Sequence, residues 1–296
     1  MKKIKGKITR SFLCCLSWIS PKWNYSYRYR RIFGRKINLE NPKTFNEKIL
    51  WLELHRYHND PIVIQCCDKN LVREYVDRCG CGDALVPQIG NWKSEDQIPW
   101  KSLPNQFVLK WNFGAGFNII CTDKEKLNIE NAKKKLNKWK KQKYWLWYGE
   151  MHYLHVQKCI VCEKYIPDMG VSTNGSPDDY KLYCFHGKVK YILVCKNRKG
   201  MHADYLFFDT DWNLQPFSKY AVENKKIIKL EYPPMLPKAI EYSEKLSKNI
   251  PFVRVDWYLT NEKIYFGEMT FTPCGGMDND LLEGDRIMGE LLNVAQ

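Results

Sequence analysis

Phe252-Val-Arg-Val-Asp-Trp-Tyr-Leu259 and Ile264-Tyr-Phe-Gly-Glu-Met-Thr270 are the two stretches that decide how this chain is read. In the first, Val253 and Val255 alternate with Arg254 and Asp256. In the second, Ile264, Phe266, Glu268 and Thr270 share one face. A period of two is the mark of a strand with one face buried. A turn at Asn261-Glu262 joins the two as an antiparallel hairpin and sets Asp256 opposite residue 267 or 268. Two carboxylates and an arginine then meet on neighbouring strands. Like charges held that close need a counter-cation, and hard oxygen donors beside phosphate suit magnesium. A salt-bridged sheet surface, with Arg254 paired to Asp256 or Glu268, satisfies the same pattern.

Two further stretches upstream carry chemistry. Gln106-Phe-Val-Leu-Lys110 reads as a strand, Asn112 to Asn118 as a glycine loop and Ile119 to Cys121 as a return strand. Lys110 can place its ammonium on phosphate oxygens while the backbone N–H groups of Gly114, Ala115 and Gly116 close over them. An ordinary hairpin turn has the same spelling. Glu163-Lys164-Tyr165-Ile166 ends another strand, stopped by Pro167. As an edge it would offer backbone groups to a flat base, with Tyr165 and Ile166 around it.

The remaining chain supplies scaffold. Thr44-Phe-Asn-Glu47 is a capping box, and Asp68 starts a helix bearing Val72, Tyr75 and Val76. A short strand is expected near Leu85-Val86-Pro87. Ile129, Ala132, Leu136 and Trp139 make a helical stripe with lysines opposite. Asp179 to Phe185 and Lys188 to Cys195 form a hairpin about His186-Gly187, a helix follows Pro233, Pro234 and Pro237, and a last helix carries Ile287 and Met288. Strands and helices mix without strict alternation, so the fold class is α+β.

Composition narrows the function. Lys and Arg number 47 against 33 Asp and Glu, a formal charge of +14, which calls for an anionic partner. With 44% hydrophobic and 14% aromatic residues, the chain is neither disordered, collagen-like nor a membrane-spanning bundle. The 12 cysteines sit mostly in apolar runs such as Cys159-Ile-Val-Cys162, where free thiols act as small hydrophobes in a reducing cytoplasm. Cys79/Cys81, Cys159/Cys162 and His152/His155 each lack a second close pair, which argues against zinc. Residues 1–36 carry many cations, among them Lys2, Lys3, Lys22, Arg30 and Arg31, and no acid. Between them Phe12 to Ile19 is far shorter than the roughly 20 residues a span needs. Two readings stand: a segment lying on the anionic inner face of a membrane, or an arm packed on the domain. No nucleic-acid-binding fold accompanies the charge, so no nucleic-acid partner is expected.

The order Asp68-Lys69, Phe107-Val-Leu-Lys110 with its glycine loop, Glu163-Lys-Tyr-Ile166, Asp179-Tyr-Lys181, Arg254-Val-Asp256 and Gly267-Glu-Met-Thr-Phe-Thr-Pro-Cys-Gly-Gly276 resembles the ATP-grasp superfamily. More narrowly, with Phe45-Asn-Glu-Lys48-Ile-Leu-Trp51, it resembles the branch named for teichuronopeptide biosynthesis, found among bacterial surface-polysaccharide genes. The similarity covers about residues 30–293.

The resemblance implies an ATP-grasp fold of two α+β lobes clamping ATP. Its expected parts are a basic segment at 1–36, a helical lobe at 37–90, a small lobe with the glycine loop at 91–166 and a C-terminal lobe at 167–296. Lys69 and Lys110 would hold phosphates, Lys181 would face the phosphates or the substrate, and the loop from Gly114 through Ala115 to Gly116 would be the lid. Glu163, Lys164, Tyr165 and Ile166 would form the adenine hinge, and Asp168 would reach the ribose. Asp256 and Glu268 would bind magnesium and Arg254 the transferred phosphate, while Gly275 and Gly276 would let backbone approach an acceptor. Many relatives place Asn two residues after the Glu as a further metal ligand. Here it is Thr270, a neutral and weaker oxygen. The implied reaction joins an amine or amino acid to a uronic-acid carboxylate of a capsule or cell-wall precursor, through an acyl phosphate, at the expense of ATP with Mg2+. The rival is a nucleotide-sugar glycosyltransferase using Asp209 and Asp211 in Phe-Phe-Asp-Thr-Asp as its metal pair.

Overall fold

The computed structural model describes residues 2–166, 178–199, 202–225 and 228–294. Asp168 and Pro167 lie outside them. Two helices come first, α1 (Lys2–Ile19) and α2 (Pro21–Phe33), then α3 (Phe45–His55), α4 (Pro61–Cys67) and α5 (Val72–Arg78). A small sheet follows, made of β1 (Gln88–Trp92), β2 (Phe107–Trp111), β3 (Asn118–Cys121) and, after helices α6 (Ile129–Lys140) and α7 (Trp145–Tyr148), β4 (Ile160–Lys164). The larger sheet takes β5 (Asp179–Phe185), β6 (Lys188–Lys199), β7 (His202–Asp209) and β8 (Leu214–Gln215). After α8 (Lys219–Asn224) and α9 (Leu236–Leu246) it is completed by β9 (Phe252–Leu259) and β10 (Ile264–Thr270); α10 (Gly284–Leu291) ends the chain's described elements. Both sheets are antiparallel, ordered β1-β4-β2-β3 and β10-β9-β5-β6-β7-β8.

The period-two pattern of β9 does what it promises. Val253, Val255 and Trp257 are buried with Leu182 and Cys184, on the face covered by α9, where the Trp257 indole N–H donates to Ser243 Oγ at 2.8 Å. On the opposite face stand Arg254, Asp256 and Tyr258. Helix α3 closes the lower part of that second face, Phe45 meeting Tyr183, Phe185 and Phe252. The upper part stays open to the small sheet. In that sheet Phe107, Leu109 and Trp111 turn to α6, the Trp111 N–H reaching Leu136 O at 3.1 Å. Lys110 therefore points the other way.

Two local features depart from expectation, and the N-terminal segment follows one of its two readings, the packed arm. The strand near 85–87 lies three residues later, at 88–92, because Leu85 to Pro87 run in after a short helical turn at Gly82–Ala84. β4 is an interior strand between β1 and β2 rather than an edge, and the Lys164 N–H is already given to Pro87 O at 2.9 Å. The basic N-terminal segment is built into the body: Tyr25 and Tyr29 are buried with Leu50 and Met277, the Tyr25 hydroxyl donates to Gly149 O at 2.6 Å and Arg28 to Tyr148 O at 3.1 Å.

The capping box forms with both of its bonds, and Glu47 does more than cap. Its carboxylate accepts from Arg35 at 2.7 Å and from the backbone N–H groups of Asn38, Lys43 and Thr44. Burial opposes ionisation, but Arg35 and these amides outweigh it and hold the carboxyl below its usual range. A depressed folded value gives stability that is present above the unfolded carboxyl's range and is lost as pH falls through the folded one. Glu47→Ala is expected to cost about 2 kcal/mol at pH 7. In urea titrations the gap to wild type should narrow as the pH drops below about 4.

Candidate active site

The site is built where the open face of the large sheet meets the small one. Across three strands the register places Lys181 beside Asp256 and Asp256 beside Glu268. One row down lie Tyr183, Arg254 and Thr270, and one row up Asp179 and Tyr258. The sequence left residue 267 or 268 as the partner of Asp256. A bulge between Phe266 and Glu268 selects 268. Glycine is required there, since a Cβ on Gly267 would sit 2.9 Å from the Asp256 carbonyl oxygen.

Asp256 is the centre of this face. Arg254 grips it with two parallel bonds, Nε to Oδ1 at 2.7 Å and Nη2 to Oδ2 at 2.8 Å, and Lys181 Nζ donates to Oδ2. Burial works against the charge of each partner, yet the mutual attraction wins. The Asp256 carboxyl is held below its ordinary range, and Arg254 and Lys181 are held above theirs. Glu268 is less enclosed, its side chain 39% exposed against 7% for Asp256. Its Oε1 takes Thr270 Oγ1 at 3.1 Å and Arg254 Nη2 at 3.5 Å. The same Arg254 nitrogen donates to the Thr270 hydroxyl at 3.1 Å.

The opposite wall is cationic. Lys110 Nζ lies 2.6 Å from Glu163, which Arg73, unremarked in the sequence, also approaches at 3.4 Å. Lys69 Nζ donates to the Gly114 carbonyl at 2.6 Å, tying this lysine to the glycine loop. Gly114 and Gly116 both have positive φ, +65° and +78°, and a Cβ on Gly114 would strike the Tyr144 ring at 2.7 Å. The loop's base is pinned by Asn112, whose side chain donates to Asp68 and Gln157 O and whose carbonyl accepts the Lys69 N–H. Between the walls runs a cleft of 240 Å³ lined by Lys69, Lys110, the loop from Gly114 to Gly116, Lys181, Asp256 and Glu268.

The donor set fits one hard divalent cation. An ionised carboxylate offers about four lone pairs. Arg254 and Lys181 use three of those on Asp256, leaving one on Oδ1, and Glu268 keeps Oε2 beyond its bonds to Arg254 and Thr270. The Thr270 hydroxyl gives its proton to Glu268 and accepts from Arg254, so it has a single neutral lone pair left, a poor ligand for magnesium. Among the described residues, no three His, Cys, Asp or Glu side chains group around a metal position. Of the thiol and imidazole pairs, Cys81, Cys162 and His152 are buried, Cys79 and Cys159 are half-buried and His155 is exposed.

Tyr165, Ile166, Gly275, Gly276, Asp209 and Asp211 are not part of that cleft's lining. Gly275 and Gly276 have positive φ, and the space a Cβ would take is filled by Tyr148 and Leu50 respectively; packing accounts for both glycines. Tyr165 and Ile166 follow the last residue of β4. Asp209 of the Asp209-Thr-Asp211 pair caps a turn: its Oδ1 accepts from the Asp211 and Asn213 N–H groups and its Oδ2 from the side chains of Asn213 and Gln215. β7 is separated from β9 by two strands, about 14 Å at the usual strand spacing.

Asp256→Asn keeps the shape and removes the charge that Arg254 and Lys181 share. Stranding two buried cations is expected to cost about 3 kcal/mol or more at pH 7, read by urea denaturation. Wild-type stability in this variant would show that the cluster holds nothing together.

Comparison with solved structures finds D-alanine–D-alanine ligase from Bacillus anthracis in complex with ATP, 16% identical over 76% of this chain and 61% of that one, TM-score 0.45. The ADP complex of purK, N5-carboxyaminoimidazole ribonucleotide synthetase, is 12% identical over 75% of this chain and 49% of that one, TM-score 0.46. D-alanine–D-alanine ligase from Helicobacter pylori is 14% identical over 78% and 59%, TM-score 0.41. The chain thus spans about half to three fifths of the length of these proteins. Curated protein sequences gave no match. The family model described as TupA-like ATPgrasp matches residues 47–293, most of the chain, and the chain belongs to that family and has the ATP-grasp fold.

Proposed function

We propose that the protein is an ATP-dependent carboxylate–amine ligase of the ATP-grasp type. The reading rests on one observation: two walls of opposite character face each other across the cleft and the smaller pocket beside it, which Arg73 and Glu163 line. The glycine-loop wall carries Lys69, Arg73 and Lys110 against one acid, Glu163. The sheet wall carries Asp179, Asp256 and Glu268 against Lys181 and Arg254. A triphosphate belongs with the first and a divalent ion with the second.

In this reading Lys69 and Lys110 hold phosphate oxygens, and the N–H groups of the Gly114–Gly116 loop close over them. Lys69 must exchange its bond to Gly114 O for phosphate, which couples nucleotide arrival to the loop. Glu268 and Asp256 would hold magnesium, whose part is to neutralise phosphate charge. A carboxylate substrate attacks the γ-phosphorus, the β–γ bridging bond breaks, and ADP leaves. The acyl phosphate that results has a good leaving group. An amine then attacks the acyl carbon, phosphate departs, the amine gives up a proton and an amide remains. Such transfer depends on charge neutralisation and exclusion of water rather than on covalent help.

The acceptor we favour is a uronic-acid carboxylate of a surface-polysaccharide precursor, with an amino acid or other amine as donor, on the cytoplasmic side of the membrane. Family membership, together with the +14 charge suited to ATP and an acidic sugar, supports this choice. The glycosyltransferase alternative loses its metal pair to the turn at Asp209.

Mg-ATP with a uronic-acid precursor and an amino-acid pool should release ADP, and hydroxylamine should trap the intermediate as a hydroxamate. Lys110→Ala or Glu268→Ala should lower ADP release by at least about a hundredfold without shifting the far-UV spectrum. Release of a nucleoside diphosphate from a sugar nucleotide instead, or full turnover in either variant, would overturn the assignment.

A further inference from the structure

The N-terminal hairpin turns at Ser20-Pro21 and leaves on its outer side an exposed apolar stripe, touched at its tip by Trp145 and Lys143. Its inner side is spent on packing. Asn24 donates to Ser17 Oγ and Leu13 O, Arg10 lies over the Trp147 ring, and Tyr25, Arg28 and Tyr29 are buried. On the outer side Phe12 and Tyr27 touch, ring centroids 5.1 Å apart. Two helical turns on from Phe12 comes Ile19, and one turn back from Tyr27 comes Trp23; both helices thus carry the stripe to the tip. There Trp18 is 67% exposed, Ile19 63% and Trp23 53%.

Large side chains this exposed and this close together mark a docking surface, and the charges around them say what docks. Lys22, Arg30 and Arg31 are exposed along α2, and Lys143 sits over the Trp18 ring. No acid precedes Glu40, and none lies between Asn131 and Gly149 in the segment that adjoins the hairpin through Trp145 and Trp147. Tryptophan at the tip of a cationic, acid-free helical hairpin matches the headgroup region of an anionic bilayer, where indole rings sit at the polar–apolar boundary and Lys and Arg meet lipid phosphate. No described helix is long and apolar enough to cross a membrane, so the contact is with a surface.

We infer that the α1–α2 hairpin docks the protein on an anionic lipid bilayer through Trp18, Ile19 and Trp23 at its tip, with Lys22, Arg30 and Arg31 as its electrostatic anchor. This holds whatever reaction the cleft performs. The segment behind the hairpin also supplies Tyr144, the ring packed against Gly114. The docked face and the glycine loop are therefore mounted on the same short piece of chain.

Removing α1 outright would uncover Trp147 and Asn24 and confuse docking with unfolding, so surface variants are the test. The full chain is sedimented with vesicles of phosphatidylcholine and phosphatidylglycerol at 3:1, and with pure phosphatidylcholine, in 0.15 M salt. Wild type should pellet with the anionic vesicles only. Trp18→Ser/Ile19→Ser/Trp23→Ser and, separately, Lys22→Glu/Arg30→Glu/Arg31→Glu should each weaken that binding by about tenfold or more, with circular dichroism and melting temperature unchanged. Wild type that stays in solution with anionic vesicles, or variants that pellet as it does, would overturn the inference. So would a wild-type dimer that the triple serine variant converts to monomer without any vesicle binding, for the stripe would then be a self-association face.

Discussion

The site depends on one buried carboxylate held by two cations. Moving an ion such as Asp256 out of water costs several kcal/mol, and only close partners return it. Arg254 comes from the same strand, two residues away, and Lys181 from the strand alongside. Pairing all three therefore requires β5 and β9 to stand in one register, because a slip of one residue would turn Lys181 to the opposite face. The same demand reaches β10 through Arg254, whose guanidinium also touches Glu268 and Thr270. The polar cluster selects the alignment of three strands, and the apolar face beneath α9 supplies the burial that makes a wrong alignment expensive.

Much of this was legible in the sequence, and the physical reasons are plain. Alternation in Phe252–Leu259 fixes which side chains face the cleft, since a strand has only two faces. The register against Ile264–Thr270 was legible only to within one residue. The bulge at Gly267 depends on a clash with the Asp256 carbonyl, which no local pattern reports. The Asp209-Thr-Asp211 pair shows the converse: its spelling suits a metal, and only the hydrogen bonds reveal that the carboxylate closes its own turn. Gly275 and Gly276 show a related effect. Glycine marks close approach, but the approaching groups are Tyr148 and Leu50, more than a hundred residues away along the chain. Arg73 carried no signal at all, because its meaning lies in Glu163 on a strand from a different part of the chain.

The lobes divide the electrostatic labour. On the glycine-loop side cations outnumber acids, and on the sheet side acids outnumber cations. Lys110 turns to Glu163 on its own sheet, and Asp256 to Lys181 and Arg254 on its own. Each wall is thus internally braced, with an excess left over that a metal-bound polyphosphate would satisfy on both sides at once. Lys69, bonded to the loop carbonyl rather than to an acid, has the least to lose by turning to phosphate.

Threonine at position 270 bears on how much charge a metal bound at the sheet wall could balance. A side-chain amide there would present a carbonyl oxygen with two lone pairs and no competing proton on that atom. The Thr270 hydroxyl must place its proton somewhere, and places it on Glu268 while accepting from Arg254. It thereby acts as a spacer that orients the Glu268 carboxylate and fastens the guanidinium beneath it, and adds almost nothing to the coordination of a hard cation. If the cleft holds a single ion, more of the phosphate charge falls to the lysines of the opposite wall, and the three basic residues gathered there against one acid are placed to take it.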